Sequence, residues 1–413
     1  MNVFKFGGAS VKDADGIRNV AEILRMQPQG GRVVIISAMG KTTNALEAVV
    51  RAYADQQPYQ ELLQAIVENH LQVAAELFTE TDHPLFAEIQ KFFDEVIFFL
   101  ERNKSPDYNF IYDQVVSSGE WASSKILSAY LNSIGFKVNW SDVRDYIKTD
   151  NTYREANVNW AETESRIQKL DRNTCYITQG FIGSDANNYT VTLGREGSDY
   201  SAAIFAYCLG ADSMTIWKDV PGVMTGDPRK FKDMELLTHI SYEEAIEMAY
   251  YGASVIHPKT LQPLQQKNIP FFVRSFVKPE EAGTRVGSGG DPVLKESFIL
   301  KENQHFLRIA TRDFSFIAEE HMSLIFSLLA KYKIKISLMQ NSAISLDLCV
   351  EDLYGHTADF ARDLEQGFEI QVTDGVSLFT IRNANLEQSN QYYLHRNVLL
   401  EQISRKTVQV VIK

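Results

Sequence analysis

Short apolar runs alternate with longer amphipathic stretches through the first two thirds of the chain. "NVFKF", "RVVIISAM", "KVNWSD", "TCYITQGFIG", "DSMTIWKDV" and "IPFFVRSF" are apolar enough to be strands. Between them lie helix-like stretches such as "DYSAAIFAYCLGA" and "SYEEAIEMAYYGA", each ending near a glycine, as helix C-termini often do. Strand–helix alternation predicts an α/β fold whose mainly parallel sheet is covered on both faces. Residues 59–102 depart from this rhythm. "YQELLQAIVENHLQVAAELF" and "LFAEIQKFFDEVIFFLERN" repeat apolar residues every three or four positions with a break at His83-Pro84, which predicts an inserted helical hairpin.

The texture changes after "AGTRVGSGGDPVLKES", a glycine-rich stretch without apolar periodicity. The expected organisation is an α/β domain over 1–285, a linker over 286–302 and a small α+β region over 303–413. In that last region "HFLRIATR", the helical "EEHMSLIFSLLAKY", "KISLMQ", "AISLDLCVE", the helical "TADFARDLEQG" and "FEIQV" read β-α-β-β-α-β. A partial second copy is expected from "VSLFTIR", a helical segment containing "YYLHRNVLLEQIS", and "TVQVVIK".

At 413 residues the chain exceeds what one hydrophobic core usually serves, in keeping with two or three domains. The net charge of −12 argues against nucleic acid or an anionic membrane as partner, so any phosphate-binding site must be a few well-placed cations. No apolar run approaches the roughly 18 residues that span a bilayer. No basic segment followed by an apolar one opens the chain. Cys175, Cys208 and Cys349 are odd in number and far apart, which fits reduced core residues and a cytoplasmic location.

The candidate chemistry lies at strand-to-helix junctions. "GKTT" at 40–43 is not a phosphate loop of the GxxxxGK type, because position 35 is Ile35 rather than glycine. No spaced Cys/His cluster suggests a metal centre. In "KFGGAS", Lys5 could place a point charge beside the backbone donors of Gly7 and Gly8; a lysine snorkelling from a strand end is the plain alternative. "SAMGKTTN" follows a strand with small and hydroxylated residues, which could also be simple capping. In "SSGEWASSKILSAYL", Glu120 falls in the first turn of a helix, where it suits the dipole or could hold an ammonium group. "TLGREGSDYSAA" lifts Arg195 between glycines before a helix opened by Ser198 and Asp199, an efficient carboxylate or phosphate clamp. "WKDVPGVMTGDPRK" leaves a strand through Asp219 and reaches Arg229, as a loop over a ligand or a surface turn would.

In this order the blocks "KFGGAS", "SAMGKTTN", "SSGE", "TQGFIG", "TLGREGSDYSAA", "WKDVPGVMTGDPR" and "YYGASVIHPKTLQP" resemble the aspartate kinase family over essentially the whole chain. The resemblance implies a three-layer αβα sandwich of the amino-acid kinase fold with a C-terminal ACT-like, ferredoxin-like domain. It implies phosphorylation of the side-chain carboxylate of L-aspartate by ATP with Mg2+, giving 4-phospho-L-aspartate and ADP on the way to lysine, threonine and methionine. The implied catalytic residues are Lys5, Arg195 and Asp199. Ser37, Ala38, Thr43, Glu120, Phe181, Arg195, Ser198 and Asp199 would form the aspartate pocket, with Arg195 on the α-carboxylate and Glu120 on the amino group. Lys5, Gly7, Gly8, Lys218, Asp219, Met224, Arg229 and Ser254 would meet ATP, with magnesium carried by the nucleotide phosphates and no protein metal ligands.

Several positions depart from the family pattern. Lys218 stands where threonine is common, Met224 where an aromatic residue is frequent, and Glu196 where glycine follows the arginine. Ser254 replaces a lysine that the family uses near the phosphates, and Lys218 is a candidate to supply the missing charge. An amino-acid effector at the ACT region and a homodimer or dimer of dimers are expected, with no homoserine dehydrogenase fused behind. A kinase for another acidic acceptor and a catalytically dead amino-acid sensor are the competing readings.

Overall fold

The computed structural model describes residues 1–28, 30–80, 82–253, 255–289, 294–386 and 389–413. Two compact units divide the chain: residues 1–223, 238–245 and 256–292 form one, and residues 224–237, 246–255 and 293–413 the other.

The first unit is built on an eight-stranded sheet. Its order is Asn139–Trp140, Cys175–Gln179, Arg32–Ile36, Asn2–Phe6, Ser213–Lys218, Phe271–Ser275, Thr284–Val286 and His239–Ile240. All neighbours are parallel except Phe271–Ser275 with Thr284–Val286. The five residues of Arg32–Ile36 are all buried, and the four after Arg32 are the continuous apolar run expected of a strand covered on both faces. On one face Phe4, Phe6, Val34, Ile36, Ile177 and Trp217 share a core with the helices Ala14–Met26, Thr42–Ala54 and Ser118–Ser133. On the other, helix Gly197–Leu209 packs against Asn2–Phe6, Arg32–Ile36 and Ser213–Lys218.

The expected helical insert is present as Gln60–Leu77 and Pro84–Arg102. Pro84 takes the first helical position, where its missing N–H costs nothing. Leu63, Ile66, Val67, Ile89, Phe93 and Val96 join the insert to the main core, each such burial contributing roughly 1.5–3 kcal/mol.

The second unit carries a six-stranded sheet in the order Lys335–Asn341, Ser345–Glu351, Ser297–Thr311, Phe368–Arg382, Thr407–Ile412 and Val398–Ser404, with antiparallel neighbours. Helices Glu319–Lys331 and Thr357–Leu364 bury Ile325, Leu329, Phe360 and Leu364 against Leu307, Ile309, Leu346 and Leu348. The first four strands and two helices are the ferredoxin-like arrangement.

Three local expectations differ. Ser297–Thr311 is one 15-residue strand that starts inside the stretch expected to be a connection. "VSLFTIR" continues Phe368–Arg382 rather than opening a strand of its own. "YYLHRNVLLEQIS" is not helical: after a short 3-10 turn at Ser389–Tyr392, Val398–Ser404 is a strand. Its neighbour decides the matter, because a two-residue turn with Arg405 at φ 53° folds it back on Thr407–Ile412 and buries Leu400. Among the described residues no helix is long and apolar enough to cross a membrane.

Candidate active site

Side chains on Asn2–Phe6 alternate between the two faces of the parallel sheet. Phe4 and Phe6 enter the apolar core, so Lys5 faces helix Gly197–Leu209 on the opposite side. There Lys5 Nζ lies 2.6 Å from Asp199 Oδ1, with Lys5 only 8% exposed and Asp199 1%. The next strand pairs Ile216 with Lys5 and Trp217 with Phe6, which sets Lys218 level with Gly7 on the Lys5 side of the sheet. Lys218 Nζ is 3.6 Å from Asp199 Oδ2. One buried carboxylate therefore serves two ammonium groups. Burial pushes the Asp199 carboxyl up, but Lys5 and then Lys218 outweigh it and hold the group below its ordinary range. Two ion pairs of unequal length hold the trio together.

Gly7 and Gly8 form the turn beside this cluster. A Cβ on Gly8 would sit 2.7 Å from the Ala38 carbonyl oxygen and 2.8 Å from that of Gly40, so only glycine lets the two loops meet. The Gly40 N–H donates to the Gly8 carbonyl at 3.0 Å, fastening "SAMG" to the glycine turn.

Glu120 lies in the first turn of Ser118–Ser133 and is 2% exposed. Its Oε1 accepts from the Ala38 N–H at 3.4 Å, while Oε2 has no partner. Burial pushes its carboxyl up to about 8, against the pull of two backbone N–H groups and of Lys5. Ser123 Oγ donates to the Ser37 carbonyl at 2.7 Å, so Ser37, Ala38 and Glu120 share one wall. Thr43 lies in the first turn of Thr42–Ala54 and is half-buried.

Phe181 and Ser198 are brought together by two glycines. A Cβ on Gly197 would lie 2.6 Å from Phe181 Cδ2, and one on Gly180 would lie 2.6 Å from Ser198 Cβ. Phe181 takes φ 72°, its N–H donating to Ser201 Oγ at 3.0 Å. The loop between Thr190–Thr192 and Gly197–Leu209 carries Arg195, which is exposed and makes no ion pair among the described residues. It leads into the same helix end that holds Asp199. Glu196, the residue that interrupts the family's glycine, adopts φ 55° and forms no ion pair with Arg195.

Two residues absent from the sequence reading support this loop. Asp113 is fully buried and accepts from the Thr192 N–H at 2.9 Å, Thr192 Oγ1 at 2.7 Å and the Arg154 N–H at 2.9 Å. Burial raises its carboxyl to about 6 in spite of those three donors. Arg154 lies over the Tyr112 ring at 4.1 Å, and its carbonyl oxygen would be 3.2 Å from a Cβ on Gly194. An aspartate inside the apolar "YNFIYDQVV" is the one sequence signal that could have flagged Asp113.

Asp219 is exposed, directly after Ser213–Lys218. Met224 and Arg229 belong to the second unit. Met224 bridges to Leu236, and Arg229 forks onto its near neighbour Asp227 at 2.9 and 2.8 Å while remaining 83% exposed. Ser254 lies outside the described residues.

Residues 1–275 match the amino acid kinase family. Over 404 residues the chain is 31% identical to the lysine-sensitive aspartokinase 3 of Escherichia coli (strain K12), covering 94% of this chain and 88% of that one. The chain belongs to the aspartokinases. It is 33% identical over 298 residues to a chloroplastic bifunctional aspartokinase/homoserine dehydrogenase of Daucus carota, covering 69% of this chain. It spans about a third, 32%, of that relative's length. The solved structure of E. coli aspartokinase III in complex with aspartate and ADP shares its fold with a TM-score of 0.83 at 27% identity, over 100% of this chain and 96% of that one. Within the aspartokinase frame, the Lys5–Asp199–Lys218 cluster and the wall of Ser37, Ala38 and Glu120 stand on adjoining strand ends.

Proposed function

We propose that the chain transfers the γ-phosphoryl group of ATP to the side-chain carboxylate of L-aspartate. One carboxylate oxygen attacks the γ-phosphorus, the bond from that phosphorus to the β,γ-bridging oxygen breaks, and ADP leaves. The acceptor, with a pKa near ~4, is ionised at neutral pH and needs no general base. The work is to bring two anions together, by positioning and charge neutralisation. The observation that carries the reading is a glycine-lined lysine whose charge acts on a buried glutamate that has an open oxygen. That is the complement of a phosphoryl group beside an α-amino acid.

In this reading Lys5 meets the transferring phosphoryl group, and Gly7 and Gly8 supply backbone donors. Glu120 takes the substrate ammonium and Arg195 its α-carboxylate. Ser37, Ala38, Thr43, Phe181, Ser198 and Asp199 complete the aspartate pocket. Lys218 and Asp219 are the remaining ATP contacts that the first unit offers. Magnesium would come with the nucleotide phosphates, whose oxygens suit it as ligands. The ferredoxin-like unit is the place for an amino-acid effector and for pairing into a dimer. Three unpaired cysteines fit a reducing compartment, the cytoplasm.

The test is hydroxylamine trapping of acyl phosphate with aspartate, glutamate and acetylglutamate in parallel. Aspartate should dominate; equal or greater trapping with another acceptor would overturn the assignment.

A further inference from the structure

The charge count at the glycine turn assigns Lys218 a specific task. Lys5 and Asp199 are buried against each other at 2.6 Å, and a pair so close sums to zero. A neutral pair offers an incoming phosphate little, because drawing Lys5 away would strand a buried carboxylate. Lys218 changes the sum. It reaches Asp199 Oδ2 at 3.6 Å, a full ångström farther than Lys5 from Oδ1, and is 20% exposed at its side chain. The trio carries a net positive charge, and the strand register sets Lys218 level with Gly7, where a Cβ would lie 3.4 Å from Lys5 Nζ.

We propose that Lys218, held by Asp199 level with the Gly7–Gly8 turn, is a second phosphoryl-stabilising cation of this chain. The proposal rests on the phosphoryl-transfer reading above and adds a residue-level division of labour. Asp199 takes no proton in the reaction. Its charge is shared between two ammonium groups, so neither is fully neutralised. When the γ-phosphoryl group arrives, Lys218, the looser partner, swings or leans onto a phosphate oxygen. Asp199 then keeps Lys5 in place on the opposite side. As negative charge moves from the γ-phosphoryl group toward the β-phosphate, both lysines follow it without any bond to hydrogen being made or broken. The strongest alternative is structural: Lys218 merely neutralises a buried carboxylate and never touches nucleotide.

The two are separated with the full-length chain and four variants: K218M, K218R, D199N and the double variant K218M/D199N. Aspartate-dependent ADP release gives kcat and both KM values, and thermal melting checks the fold. K218M should lower kcat about 100-fold, as removal of one transition-state charge partner does, with the aspartate KM changed by less than about threefold. K218R should recover at least about tenfold of that loss. In the D199N background, where Lys5 is released from its carboxylate, adding K218M should cost less than about tenfold. A K218M enzyme with wild-type kcat overturns the proposal. So does K218R no better than K218M, or a K218M cost that is the same with and without Asp199.

A second measurement stands apart from the aspartate reading. Wild type should bind a non-hydrolysable ATP analogue more tightly than ADP, and K218M should lose most of that difference. If no acceptor were phosphorylated at all, the aspartate assignment would fall while this comparison still decided Lys218. An unchanged analogue-to-ADP ratio in K218M would remove it.

Discussion

On the helices that cover the mainly parallel sheet, Asp199 and Glu120 are buried with fewer partners than their oxygens can accept, whereas in the antiparallel sheet the buried Asp347 is gripped by two nitrogens of one guanidinium. Arg308 Nε and a terminal nitrogen meet its two oxygens at 2.8 and 2.7 Å, and Gln304 there accepts from Ser337 at 2.9 Å. Both sheets bury charge, at the same general cost of desolvation. The acid at Asp347 has both oxygens paired to one guanidinium, whereas Asp199 and Glu120 do not. A bidentate pair is a finished structural contact, while an open oxygen in Glu120 and a carboxylate split between two lysines are contacts waiting for a third party. The difference separates a sheet that does chemistry from one that holds shape.

The comparison can be broken most severely at Lys5. K5M should lower kcat about a thousandfold, because the site loses its nearest phosphate cation and leaves Asp199 leaning on Lys218 alone. An ADP-release assay that finds less than about a tenfold drop would place the chemistry elsewhere.

Glu120 comes next. With its carboxyl raised to about 8 in the ligand-free protein, it is largely protonated at pH 7 and must ionise to hold an ammonium group. Aspartate binding should then release close to one proton at pH 7 and tighten up to about tenfold per unit as pH rises toward 8. E120Q should bind weakly at every pH, without that slope. The stability sign is opposite. A carboxyl raised from its ordinary 4.5 makes the unfolded chain the better proton donor, so ligand-free stability falls as pH rises from about 4.5 to 8. Calorimetric titration in buffers of different ionisation enthalpy reads the proton directly. A wild-type pH slope retained in E120Q would show that another group titrates.

In the antiparallel sheet the expectation is the reverse. R308L should cost about 1–3 kcal/mol by stranding Asp347, yet leave kcat without effector within about threefold. Melting curves and ADP release together test this; a large fall in kcat at unchanged stability would erase the contrast between the sheets. The smallest effect belongs to Glu196, whose φ of 55° is a conformation glycine adopts without strain. E196G should stabilise the first unit by up to about 1 kcal/mol, read by denaturant titration, with little change in aspartate KM because no Arg195–Glu196 ion pair is lost.

What could be read from the sequence follows the range of each interaction. Lys5 with Gly7 and Gly8, and Glu120 at a helix start, are local patterns, and the helical hairpin over 60–102 announced itself by its period. The Lys5–Asp199–Lys218 cluster was not legible as a cluster. Its members sit on three elements and meet only through strand register and helix packing, and Lys218 ends its strand rather than lying in the loop that follows. Asp113 showed only as a lone acid in an apolar helix, with no spacing to point to its partners. The strand at 398–404 looked helical because its apolar residues fall three and four apart, and only the hairpin partner fixes its form.

The account stands most directly on where the two substrates sit. A crystal structure of the chain with aspartate and an ATP analogue should place the aspartate ammonium roughly 3 Å from Glu120 Oε2, with the γ-phosphate at hydrogen-bond distance from Lys5 beside Gly7 and Gly8. An aspartate bound away from Glu120, or phosphates that leave Lys5 closed on Asp199 and untouched, would contradict it.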